Sequence, residues 1–140
     1  MNTSSLSQPI ARPSLAQTIV ALVGVAHLLT GLALLLAPAW FFANIGTCPP
    51  FNRHYEGDMG AFQIPLGLGL LLAARDPVRY RLLIGVAAAG NLLHTLNHIY
   101  DAAIGRAPLG YWVVDTGPLA LVSVALLLAT SRYLTGEARQ

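Results

Sequence analysis

The sequence predicts an all-α membrane protein built as an antiparallel bundle of four transmembrane helices. Three observations point there. The 140 residues are 55% hydrophobic and only 10% charged, against about 25% charged in soluble domains, so lipid is expected to cover part of the surface. The chain contains four mostly apolar stretches, each near the roughly 20 residues that span a bilayer. Its eight basic residues are all arginine and are distributed asymmetrically between alternate connectors. At this length one domain is expected. It is placed at residues 14–134, between a disordered cytoplasmic tail, 1–13, and a short cytoplasmic tail, 135–140.

The first stretch, Leu15–Phe42, follows a tail rich in Ser, Gln and Pro. It outruns the roughly 7–15 apolar residues of a signal-peptide core. Ala37-Pro38-Ala39 imitates a cleavage site but lies too far along the run, so the segment is read as a retained helix. The second stretch, Asp58–Ala74, is Gly-rich and the shortest; Val78–Ala103 and Leu109–Tyr133 are the third and fourth. Turn-rich connectors separate them: Gly46 to His54, Arg75-Asp76-Pro77, and Gly105 to Pro108. Links this short make sequential helices antiparallel neighbours.

Four crossings would put the termini and the second connector on one side. That side carries Arg12, Arg75, Arg79, Arg81, Arg132 and Arg139, and the other carries Arg53 and Arg106. Arginine concentrates on cytoplasmic loops, so both termini are expected in the cytoplasm, with the protein multi-pass in the membrane. Trp40, Phe41, Phe42, Tyr55, Tyr100, Tyr111 and Trp112 then fall at the outer interface, as an aromatic belt would. The arginines form no basic stripe with interleaved aromatics, so nucleic acid is not an expected partner. Cys48 is the only cysteine, which excludes an intramolecular disulfide and a thiolate metal cluster.

A polar constellation gathers in the outer half. The segment NLLHTLNHIYD places Asn91, His94, His98 and Asp101 at spacings of three and four, with Asn97 beside them. Such a stripe is costly against lipid and should turn inward, where ionisable residues are functional-site candidates. Gly24, His27 and Gly31 share a face of the first stretch; Glu56, Gly60, Gln63 and Gly67 share one of the second; Tyr111 and Asp115 lie a turn apart on the fourth. Pro65 and Pro118 each remove a helix hydrogen bond near Gln63 and Asp115. Counting rise per residue from the outer ends puts Gln63 and Asp115 level with Asn97 and His98, His94 a turn deeper and His27 deeper still. One outward-opening pocket lined by Gln63, His94, Asn97, His98 and Asp115, with His27 at its base, is the expected site.

Two kinds of bound group are weighed there. His94 and His98 at i, i+4 have the spacing to chelate a divalent metal, with Asp101, Asp115 or Glu56 completing the shell. A haem would take His27 and His94 as axial ligands. His54, Glu56 and Asp58 have the donors for a second metal-binding trio, but are read first as solvated loop residues capping the second helix, with Asp58 near its N-terminus. Serine or cysteine nucleophile arrangements, phosphate loops and dinucleotide fingerprints are absent from the sequence.

A first stretch ending LLLAPAWFFANIG and a Gly-rich second stretch resemble the DoxX-like group of small bacterial membrane proteins. The likeness covers about Leu15 to Tyr133 and implies four spans; some members of the group look like quinone-linked oxidoreductase subunits. A second likeness, of architecture and site chemistry only, is to the emopamil-binding fold of sterol isomerases and lipid-ligand receptors. Three functions follow as expectations. The first is a ligand-binding membrane protein taking a lipid, quinone or other amphiphile. The second is a redox or isomerase enzyme using a histidine and Asp115. The third is a structural accessory subunit, as a homo-oligomer or within a larger membrane complex.

Overall fold

The computed structural model of the protein describes residues 13–47, 49–106 and 116–130. They form five helices: α1, Leu15–Leu36; α2, Pro38–Asn44; α3, Arg53–Ala73; α4, Arg81–Ala103; and α5, Gly117–Ala129. The all-α expectation holds, and the four-span bundle is corrected. Among the described residues only α1 and α4 are long and apolar enough to cross a membrane. Only 33% and 28% of their apolar windows are buried, unlike an enclosed core helix. α3 has the length, 21 residues, but Arg53, Glu56, Asp58, Gln63 and Pro65 lower its apolar character. α5 is apolar but has 13 described residues. The beginning of the predicted fourth stretch, Cys48 and most of both tails lie outside the described residues.

Local chemistry sets the boundaries. Ser14 and Gln17 make a reciprocal capping box at the start of α1, with bonds of 3.2 and 2.8 Å, satisfying two backbone donors that the first turn leaves open. The run expected as one span is two helices. Pro38 has no N–H to continue α1, and its ring pushes Ala37 out of the helical region, to φ −138° and ψ 53°; the same proline is tolerated in the first turn of α2. Phe42 meets Phe51 edge-on, with ring centroids 5.2 Å apart, and Asn52 caps α3 by accepting from the amides of His54 and Tyr55. α3 therefore begins at Arg53, five residues before the expected start at Asp58. It runs through Pro65 without ending. Pro118 sits in the first turn of α5 as described, where a missing N–H is least costly.

α1 and α3 pack antiparallel through glycine. Gly24 faces Gly67 and Gly31 faces Gly60, each pair near enough that a Cβ on one would press on the other's carbonyl oxygen. At one end of this interface the Gln17 side chain donates to the Arg75 carbonyl at 3.2 Å. Small residues permit such backbone approach, where dispersion and short polar contacts hold membrane helices together. The dry core lies at that same end and gathers Ala16 and Val20 of α1, Leu70 and Ala73 of α3, Ile84 and Ala87 of α4, and Leu126 and Ala129 of α5. Outward faces carry large apolar side chains, among them Leu22, Leu29, Phe62, Leu93 and Leu121.

Candidate functional site

Above that core, hydrogen bonds run transversely from helix to helix. His27 of α1 donates from Nδ1 to Oε1 of Gln63 on α3. Its Nε2 lies 3.2 Å from Nδ2 of Asn91 on α4. An amide nitrogen only donates, so Nε2 accepts and the imidazole is the neutral Nδ1–H tautomer in this arrangement. Asn91 directs the same amide group to the Ala87 carbonyl at 2.9 Å. One turn along, Thr95 donates to the Asn91 carbonyl at 2.8 Å and its hydroxyl lies 3.3 Å from that of Ser123 on α5. Gln63, His27, Asn91, Thr95 and Ser123 thus form a polar string through α3, α1, α4 and α5. All but the half-buried Gln63 are buried.

Beside the string lies a groove of about 200 Å³ between α3 and α4. Met59, Phe62 and Leu66 form its apolar wall; His27, Gln63, Asn91 and His94 form its polar side. Gly90 also borders it, and a Cβ built there would meet nothing within 4 Å. α4 has open space here because its neighbour α3 packs chiefly on α1. His94 continues to His98 through an Nε2 to Nε2 contact of 3.0 Å, with ring centroids 4.7 Å apart. At that separation one ring donates to the other's lone pair, so at least one imidazole is neutral.

No family model, curated protein or solved structure matches this chain.

Of the residues expected in one pocket, Gln63, His27 and His94 are brought together. His98 does not line the groove but contacts His94, which does. Asn97 is exposed, because it lies roughly 200° round the helix from the buried Thr95. Asp115 lies outside the described residues. Gln63 is level with His27 and Asn91 rather than with Asn97 and His98. Depth counted from Asp58 is too shallow, since α3 starts at Arg53.

The metal shell expected from His94, His98 and Asp101 or Glu56 is not assembled among the described residues, and Asp115 lies outside them. Among the described residues no three His, Cys, Asp or Glu side chains converge. Asp101 lies 3.8 Å from Arg106 as an ion pair. Glu56 sits on α3, 7% exposed, and burial raises its carboxyl pKa from the ordinary value. His54 and Asp58 make an exposed contact of 3.5 Å without Glu56. A haem between His27 and His94 does not fit either, because both ring nitrogens of His27 already hold partners.

Asn91 was legible in the sequence as part of the polar stripe, though it was not placed in the pocket. Thr95 and Ser123 carry no sequence signal beyond a small hydroxyl in an apolar run. Met59, Phe62, Leu66 and Gly90 are indistinguishable from lipid-facing or packing residues until α3 and α4 are placed.

Proposed function

We propose that this protein is a multi-pass protein of the bacterial cytoplasmic membrane that binds an amphiphilic ligand, of quinone or lipid type, in the groove between α3 and α4. Its N- and C-termini lie in the cytoplasm, on the strength of the arginine asymmetry. The observation that carries the binding reading is the groove itself: four hydrogen-bonding side chains, His27, Gln63, Asn91 and His94, stand opposite Met59, Phe62 and Leu66, and the first three are held by hydrogen bonds to one another. Ligand sites combine an apolar lining with a few oriented polar groups in this way. A cavity of about 200 Å³ suits a head group or single ring, with the apolar remainder leaving past the exposed Phe62 into lipid. His27 occupies the Gln63 oxygen, so recognition by Gln63 falls to its amide N–H donors. The DoxX-like resemblance, with its quinone-linked members, belongs to this same proposal.

The test is direct. Purified full-length protein is extracted and the extract examined by mass spectrometry, and the protein is titrated with a short-chain ubiquinone while thermal stability is followed. A ligand at 100 times its Kd stabilises the folded state by about 2.7 kcal/mol, which is readily seen. Empty extracts together with no stabilisation by quinone or by monoacyl lipid would rule the reading out. The polar string through four helices favours one alternative, a structural accessory subunit, and that outcome would select it.

A further inference from the structure

A second groove lies at the opposite end of the molecule from the His94–His98 pair. It has a volume of about 360 Å³ and runs between the first turns of α1 and the end of α3, walled by Thr18, Ala21, Leu22 and Ala74, with Arg75 at its mouth. The hydrogen bond from Gln17 to the Arg75 carbonyl fixes that mouth against α1. Both helices able to cross a membrane begin at this end, α1 at Leu15 and α4 at Arg81, and their first turns meet in the shared core through Ala16, Val20, Ile84 and Ala87. The groove and the connector from α3 to α4 therefore sit at one level, where a span enters the bilayer.

That level is strongly cationic. Arg75, Arg79 and Arg81 are all exposed. The ion pairs among the described residues, His54 with Asp58 and Arg106 with Asp101, involve none of them. Asp76, the acid between them in sequence, accepts from the Arg79 backbone amide at 3.0 Å and serves the turn. The Arg79 guanidinium is held over the Tyr80 ring, 5.5 Å from its centroid, which keeps it at the surface beside the core. Arginine recognises phosphate oxygens with a planar, multi-donor face. An apolar slot with Arg75 at its mouth, and Arg79 and Arg81 exposed on the connector that follows, matches a lipid that has both an acyl chain and a negative head.

We propose that this groove binds an anionic phospholipid, with one acyl chain along Ala21, Leu22 and Ala74 and the phosphate on Arg75, supported by Arg79 and Arg81. The site is separate from the α3–α4 groove and does not depend on what that groove binds. The full chain in a non-ionic detergent is titrated with phosphatidylglycerol, phosphatidylcholine and inorganic phosphate, and bound lipid is counted by native mass spectrometry. Phosphatidylglycerol binds about tenfold or more tighter than phosphatidylcholine, and inorganic phosphate does not displace it. Arg75→Gln weakens phosphatidylglycerol about fivefold, the effect expected of one interfacial arginine, and leaves phosphatidylcholine unchanged. Thr18→Phe and Leu22→Trp, at exposed positions where folding is not at stake, obstruct the slot and weaken both lipids. Equal affinity for the two lipids, displacement by inorganic phosphate, or undiminished binding in both slot variants would overturn the assignment.

Discussion

A methyl group built on Gly67 would stand 2.8 Å from the carbonyl oxygen of Gly24, and one built on Gly24 would stand 3.1 Å from that of Gly67. The two backbones are in contact with no room for a side chain between them, and Gly31 and Gly60 repeat the arrangement further along. This contact sets the register of α1 on α3, and the register brings His27 to Gln63.

The glycine interface should be intolerant and position-specific. Gly67→Ala and Gly60→Ala are expected to destabilise the protein by about 1–3 kcal/mol, the usual cost of overpacking. Gly85→Ala, where a Cβ meets nothing within 4 Å, should be neutral or gain up to about 1 kcal/mol from helix propensity. Thermal unfolding in detergent separates them; equal effects at all three sites would contradict the interface.

The polar string should be weaker than it looks. Hydrogen bonds between membrane helices average about 0.6 kcal/mol and rarely exceed about 1.7. A double-mutant cycle on His27→Ala and Asn91→Ala is expected to give a coupling energy in that range. Coupling indistinguishable from zero would mean that the two side chains do not share a bond.

The α3–α4 groove can be closed without touching the core. Gly90→Leu projects into open space, so folding should be preserved while the stabilisation by quinone or lipid is lost. Retained ligand with a filled groove would place the binding elsewhere.

Glu56 gives a pH signature. Its carboxyl is raised by burial, so the folded state holds its proton to higher pH than the unfolded state does. Stability from this group is therefore present below the ordinary carboxylate range, and is lost as pH rises through the range between the unfolded and folded values. Glu56→Gln should be more stable than the parent at neutral pH and no different in acid. A gain in acid alone would reverse the sign and exclude burial as the cause.

Orientation can be read with the native cysteine. Cys48 follows α2 and is the only thiol, so in intact spheroplasts it should react with a membrane-impermeant maleimide. In a Cys48→Ser background, Asp76→Cys should react only after the membrane is opened. The opposite pattern would invert the proposed topology.

The sequence by itself determined the all-α class and the apolar character of α1 and α4, because these depend on composition, whereas the start of α3 at Asn52 was set by a cap that the apolar pattern does not mark. It also marked Gly24, Gly31, Gly60 and Gly67 as a packing face, since glycine repeated two helical turns apart stays on one face and lets a neighbouring backbone approach. What it could not fix was relative depth. Five residues at the start of α3 move Gln63 by about 7.5 Å along the helix axis, enough to take it from the level of His98 to that of His27. The break at Pro38 split the first expected span into α1 and α2, and the polar residues of α3 took the second below the apolar character of a span, so that among the described residues two helices are able to cross. Which residues share a groove was decided only by the tertiary structure. Glycine contacts tie α3 to α1 and leave open space beside Gly90 on α4, and no pattern within a single helix records the gap left between two others.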